Sequence, residues 1–198
     1  MVTPAILPEH VPALVATIGA AASAGVDLVQ VRQPALDTRT LVAVVRGALE
    51  AVQGTRARVL VNERLDVALA AGAHGVHLKE DSMPAARLRA AAPRGFLIGR
   101  SVHSVDAVRR ADVETLDYLV FGTVFETPSK PGREVAGADA LAAAVRETRL
   151  PVLAIGGMTL DRLAPVSRAG AAGIAAIRLF ADHADRAVTD VRRLWPVS

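Results

Sequence analysis

The sequence predicts an α/β chain folded as a (β/α)8 TIM barrel, a single domain over residues 1–198. Three observations predict it. Short apolar, β-branched runs recur along the whole chain, and Ala/Arg/Leu stretches with helical spacing alternate with them. Three of those helical stretches end in near-identical closers: Ala24-Gly25-Val26-Asp27, Ala71-Gly72-Ala73-His74 and Ala169-Gly170-Ala171-Ala172. In each, the glycine suits the left-handed position that ends a helix, and the next apolar residues start a strand.

In chain order, Met1-Val2-Thr3 is the only candidate for the first strand, and it is very short. A helix over 11–24 follows, then a strand over 27–32 (DLVQVR). Asp37 or Thr38 can cap a helix over 38–52. Strand 58–62 (RVLVN) leads to helix 63–71, and strand 75–78 (GVHL) to helix 84–92, where Pro84 suits the first turn. Strand 96–99 (FLIG) precedes a helix over 104–111 capped by Ser104. Strand 117–122 (DYLVFG) is followed by helix 138–148, strand 151–156 (PVLAIG) by helix 160–169, and strand 173–177 (GIAAI) by helix 184–194. Such runs lack apolar/polar alternation because parallel strands are covered on both faces. The rival, an open doubly wound sheet, wants a Gly-rich phosphate turn after its first strand, and Pro4-Ala5-Ile6-Leu7-Pro8 is not one.

Composition narrows the function. Cysteine is absent, which excludes disulfides and thiolate metal sites and suits a reducing compartment. The N-terminus has no basic and apolar signal pattern, and no apolar run reaches the roughly 20 residues that span a bilayer. A soluble, cytoplasmic protein without a membrane partner is expected. The pI is about 10.1, but the arginines are dispersed, no run of five basic residues occurs, and aromatics are only 3%. That excludes base stacking on a basic groove, so nucleic acid is not an expected partner. The positive field suits a small anionic substrate. A homo-oligomer stays open.

In a barrel, catalytic groups lie at the C-terminal ends of the strands and in the loops that follow. Those positions hold Gln30 and Arg32; Asn62, Glu63 and Arg64; His77, Lys79, Glu80 and Asp81; Arg100, Ser101 and His103; Thr123 to Lys130; Gly156 and Gly157; and Ile177 and Arg178. Both of the chain's lysines are among them. Gly156-Gly157 after a buried strand lets backbone N–H groups approach a phosphate, as the seventh and eighth loops of such barrels do. A tight turn needing positive φ explains the same pair.

At these residues the chain resembles the thiamine phosphate synthase/TenI family, whose fold is the (β/α)8 barrel. The likeness runs from about Val26 to Phe180. It rests on Val29-Gln30-Val31-Arg32, Val61-Asn62-Glu63-Arg64-Leu65-Asp66-Val67-Ala68, Gly75-Val76-His77-Leu78, Ile98-Gly99-Arg100-Ser101-Val102-His103-Ser104, the stretch FGTVFETPSKPGRE at 121–134, and Ala154-Ile155-Gly156-Gly157-Met158-Thr159. The resemblance implies one of two activities. The synthase joins a pyrimidine diphosphate to a thiazole phosphate with Mg2+. The TenI-type tautomerase isomerises a carboxythiazole phosphate without metal.

Departures from the synthase pattern point to the tautomerase as the first expectation, with no cofactor. Gln33 and Pro34 stand where the synthase has Glu and the diphosphate-binding Lys. Glu63 stands for its first metal aspartate, and Ser82 for its second, with Asp81 one place early. Mg2+ is therefore expected only if the synthase alternative holds. A phosphate-ligand binder without catalysis is the third reading. One departure cuts against the tautomerase: Thr123 occupies the place of its shuttle histidine, and a hydroxyl is no base near neutral pH.

The expected catalytic residues are His103, Thr123 and Glu126. His103 is either the base or a neighbour of the site, and His77 reads as a core histidine. Arg32 and Arg100 offer bidentate forks for a carboxylate, or ion pairs with acids such as Glu63 or Glu80. Thr127, Ser129 and Lys130 match the family's phosphate-closing loop, and Pro128, Pro131 and Gly132 fit a lid that orders on binding. Gln30, Asn62, Ser101, Gly156, Gly157 and Ile177 complete the expected thiazole phosphate contacts. Arg178, where the family has a small Ser, either adds a phosphate contact or blocks the site.

Overall fold

Among the described residues, every internal apolar run of the sequence forms a strand: β1 (Leu28–Val31), β2 (Arg58–Asn62), β3 (Gly75–Leu78), β4 (Leu97–Val102), β5 (Tyr118–Phe121), β6 (Val152–Ile155) and β7 (Gly173–Ala175), with neighbours parallel within β1–β3 and within β4–β7. The structure, a computed structural model, describes residues 1–127, 132 and 134–196. Its helices are α1 (Val11–Ser23), α2 (Thr38–Ala51), α3 (Leu65–Ala71), α4 (Ala85–Ala91), α5 (Val105–Arg109), α6 (Gly137–Arg146), α7 (Leu163–Arg168), α8 (Arg178–Asp182) and α9 (Ala184–Leu194). This is the β/α alternation of a TIM-like fold with seven strands. The expected eighth, at Met1-Val2-Thr3, is reduced to one parallel bridge from Val2 to Gln30, because three residues carry too few ladder bonds to make a strand. A complete eight-stranded barrel is therefore not shown.

The chain divides into two compact units. The first comprises Met1–His77, Ala91–Leu97 and Ile177–Val188; the second comprises Leu78–Ala90, Ile98–Ala176 and Thr189–Ser198.

In the first unit β2 lies between β1 and β3, with Val29 opposite Val59 and Val61 opposite Val76. Ile18, Val44 and Val45 of α1 and α2 are fully buried, and each contributes about 1.5–3 kcal/mol by leaving water. The two helices approach closely at Gly47, where a Cβ would lie 3.1 Å from Val15 Cγ2. Asp37 caps α2, its carboxylate accepting from the Thr40 amide at 3.0 Å. The expected helix at 63–71 starts two residues late, at Leu65. Glu63 takes a left-handed φ of 66°, and its amide prolongs the β2–β3 ladder by donating to the His77 carbonyl at 2.9 Å.

In the second unit the order is β4-β5-β6-β7. Ile98, Leu119, Phe121, Leu141 and Leu163 form its buried centre. β4 runs on past the expected Gly99 to Val102, because the whole of β5 pairs with it, from Gly99 opposite Tyr118 to Val102 opposite Phe121. Arg100 and Ser101 are therefore strand residues rather than loop residues. Gly99 itself makes room for the Tyr118 ring, since a Cβ there would sit 2.1 Å from the ring carbon Cζ. Burial holds the Tyr118 phenol above its ordinary range. Asp117 accepts from the Ile98 amide and from Arg89, both at 2.6 Å, tying the starts of β4 and β5 together. Asp161 and its neighbours form a short 3-10 turn, Leu160–Arg162, ahead of α7.

The three closers behave as expected: Gly25, Gly72 and Gly170 all have positive φ. The helix α8 was not expected. It starts at Arg178 directly after β7 and has no side-chain cap to announce it.

Candidate active site

In the first unit, the end of β1 is occupied by folding contacts. The Gln33 amide is buried; it donates to Thr3 Oγ1 at 3.0 Å and the Pro4 carbonyl at 2.6 Å, and its Oε1 accepts from the Ile6 amide at 3.1 Å. The backbone amide of Arg32 donates to Thr3 Oγ1 at 3.0 Å, and that of Gln30 to the Met1 carbonyl at 2.9 Å. Gln33 thus anchors the N-terminal segment to β1. The Arg32 guanidinium is exposed and pairs with no carboxylate among the described residues. At the end of β2, Asn62 stands opposite His77, which is buried as a core histidine would be. Arg64 pairs with Asp66 at 2.6 Å and donates to Thr38 at 3.1 Å, and the pair holds the Asp66 carboxyl below its ordinary value. The Ile177 carbonyl accepts from the Ala181 amide at 3.0 Å, and Arg178 is exposed on the first turn of α8.

The second unit gathers more of the expected residues. After β3, Ser82 closes a turn. Its Oγ accepts from the Lys79 amide at 3.0 Å, and its own amide donates to the Lys79 carbonyl at 3.4 Å. Arg100 holds that turn from β4: its guanidinium donates to the carbonyls of Glu80 (3.2 Å), Ser82 (3.4 Å) and Met83 (2.5 Å). It makes no ion pair with Glu80, whose carboxylate instead accepts from the His103 amide at 2.7 Å. The His103 ring bonds through Nδ1 to the Gly122 carbonyl. A carbonyl only accepts, so Nδ1 carries a proton in this bond. Ser101 is half-buried in β4.

The ends of β5 and β6 are interlocked by backbone. Val124 donates to the Ile155 carbonyl at 2.9 Å and Phe125 to the Gly156 carbonyl at 3.2 Å. Gly156 and Gly157 both have positive φ, 105° and 61°. A Cβ on Gly156 would lie 2.5 Å from Thr123 Cγ2, and one on Gly157 2.3 Å from the Glu126 carbonyl. Only glycine fits either place. The two amides donate to no group among the described residues, which suits an anion. Arg162 pins this pair: it donates to the Gly157 carbonyl at 2.7 Å and lies over the Phe125 ring at 5.0 Å. The Glu126 side chain is exposed; Thr123 and Thr127 are half-buried. Pro128, Ser129, Lys130 and Pro131, which carry the expected lid and its ammonium, lie outside the described residues.

No group of three or more His, Asp or Glu among the described residues could hold a metal by itself. A metal would have to draw on one or two carboxylates together with substrate oxygens, as Mg2+ commonly does.

The family described as Thiamine monophosphate synthase (TMP-TENI) matches residues 1–180. The chain belongs to this thiamine monophosphate synthase family. Among its relatives, the thiamine-phosphate synthase of Methanoculleus marisnigri is 41% identical over 169 residues, covering 83% of this chain and 79% of that protein. That of Natronomonas pharaonis is 36% identical over 181 residues, covering 87% and 85%. The solved structure of thiamine phosphate pyrophosphorylase from Pyrococcus furiosus superposes with a TM-score of 0.82 at 29% identity, covering 98% of this chain and 92% of that one.

These names overturn the tautomerase expectation. Within the family, the relatives are called thiamine-phosphate synthases, and none of these names speaks for a TenI-type isomerase. Gln33 and Ser82, two of the departures from the synthase pattern, are spent on holding the chain and closing a turn, so each has a structural reason to differ. Arg162 and Glu80 were missed as organisers of the site. Nothing in the residues between Gly157 and Arg162 says that the arginine folds back on the glycine carbonyl.

Proposed function

We propose that this chain is a thiamine-phosphate synthase, a transferase that couples a pyrimidine diphosphate to a thiazole phosphate and releases diphosphate. The observation that carries it is the 41% identity to a thiamine-phosphate synthase across more than four fifths of the chain. Thr123 agrees with this reading. Coupling with loss of diphosphate moves no proton between carbons, so the place of the shuttle histidine needs no base.

The residues divide the work by chemistry. The amides of Gly156 and Gly157 take the thiazole phosphate, with Thr127, Ser129 and Lys130 adding donors. Donors and cations aimed at the departing diphosphate stabilise the charge that builds there. When bound, Mg2+ supplies that neutralisation, and Asp81 of the second unit is an exposed carboxylate suited to it. His103, its Nδ1 engaged by the Gly122 carbonyl, offers Nε2 for a substrate hydrogen bond. The substrates are small molecules of thiamine biosynthesis, and no helix among the described residues is long and apolar enough to cross a membrane.

The test is complementation. Expressed in a bacterium lacking its own synthase, the chain restores growth without thiamine, and the Lys130→Ala variant restores it poorly. Failure of the expressed, folded chain to support growth on thiazole plus pyrimidine precursors contradicts the proposal.

A further inference from the structure

We propose that Arg100 is a positioning residue: it sets the shape of the turn at 79–83 and, through that turn, the enzyme's affinity for its diphosphate substrate. The inference rests on the synthase reading, in which this turn serves the diphosphate end. It starts from where the guanidinium is spent. An arginine fork ordinarily meets a carboxylate or phosphate. Here it points its donors at three backbone carbonyls of one turn, those of Glu80, Ser82 and Met83. Its Nε is buried with no partner among the described residues. Among the described residues no carboxylate forms an ion pair with it, although Asp112 feels its charge.

Other side chains restrain the turn as well. Ser82 closes it locally through Lys79, and the Glu80 carboxylate ties it to the His103 amide. Arg100 joins the turn's backbone to a paired strand, since its own backbone lies in β4 opposite Leu119. Strands position groups more precisely than loops do. A lysine cannot replace it, because one ammonium on a flexible stem does not span three separated acceptors. The consequence is a positive charge built into the root of the turn, with Asp81 exposed at its tip. Holding the tip carboxylate in one place lowers the ordering cost when an anion and its cation bind.

The test uses the full chain and two variants, Arg100→Lys and Arg100→Gln. First, amide hydrogen exchange is followed without ligand. The expected result is about tenfold faster exchange in peptides covering 79–84 for both variants, with β5 and β6 peptides unchanged. Second, steady-state kinetics separate the substrates. KM for the pyrimidine diphosphate and the Mg2+ concentration for half activity rise about tenfold, while KM for the thiazole phosphate stays within about twofold. If Arg100→Gln does not fold, the exchange pattern of Arg100→Lys alone decides the structural half. Unchanged exchange at 79–84, or equal rises in both KM values, overturns the proposal. A wild-type chain with no coupling activity overturns the synthase reading instead, and the exchange experiment still decides whether Arg100 sets the turn.

Discussion

The turn after β3, residues 79–83, is held by side chains, whereas the turn after β6, residues 156–157, is shaped by their absence. In the first, Arg100, Glu80 and Ser82 reach across and bond backbone groups. In the second, two glycines at positive φ let the Thr123–Glu126 backbone come within 3 Å of where a Cβ would be. The difference sets how each turn tolerates change. A glycine-built turn fails all at once, because any side chain collides with backbone that cannot move. A turn held by several side chains fails in parts, each bond costing its own small amount. The catalytic readouts below presuppose the synthase reading; the stability readouts do not.

The largest effect is therefore expected at Gly157. Gly157→Ala places a Cβ 2.3 Å from the Glu126 carbonyl and 2.8 Å from Arg162. It destabilises the fold by about 3 kcal/mol and lowers affinity for the thiazole phosphate more than about tenfold. Chemical denaturation and calorimetry read the two. A stable variant with unchanged affinity breaks the comparison, because the turn would not then depend on the missing side chain. Arg162→Leu comes next. It keeps the bulk near Phe125 but loses the bond to the Gly157 carbonyl and the stacked charge, costing about 1–2 kcal/mol. Phosphate affinity falls with it if the pin matters to the cradle. Ser82→Ala is smaller, about 1 kcal/mol, and leaves the Arg100 bonds to carry the turn. A double variant, Ser82→Ala with Arg100→Lys, then loses more than the sum of the singles if both hold one structure.

The smallest effect belongs to neither turn and serves as a control. In the first unit the ring of His74 accepts the Val59 amide through Nδ1 at 3.0 Å. Partial loss of ring hydration first, in a residue that stays exposed, and Arg58 second lower its pKa from the ordinary 6.5. The unfolded chain therefore takes up this proton at a higher pH than the folded one does. The stabilisation is complete above about 6.5 and declines as pH falls through the interval down to the folded value. His74→Gln flattens that part of the stability profile and leaves the phosphate affinity at neutral pH unchanged. An equal acid slope in wild type and variant assigns the dependence to other groups.

The parts of this molecule legible in its sequence are those where one physical cause dominates. The strands were readable because burial on both faces demands continuous apolar runs, as in Gly75-Val76-His77-Leu78 and Tyr118-Leu119-Val120-Phe121. The glycine pair was readable because positive φ restricts the residue. Whether Met1-Val2-Thr3 completes a strand was not, since three residues carry no period; the structure has a single bridge there, beside the Gln33 bonds to Thr3 and Pro4. The helix α8 was missed for lack of a capping signal. Arg100 was read as a carboxylate clamp because its side chain favours that use. Its acceptors are main-chain carbonyls, which every residue possesses and no sequence marks. The choice between two activities of one family failed for a related reason. Gln33 and Ser82 looked like lost function, and only their contacts show them as chain-holding groups.

One measurement reaches the central claim directly. The purified chain is given the pyrimidine diphosphate, the thiazole phosphate and Mg2+, and phosphorus NMR follows the mixture. The account predicts that thiamine phosphate and free diphosphate appear in equal amounts and that chelating the metal stops both. Folded protein that binds the thiazole phosphate yet releases no diphosphate would contradict it.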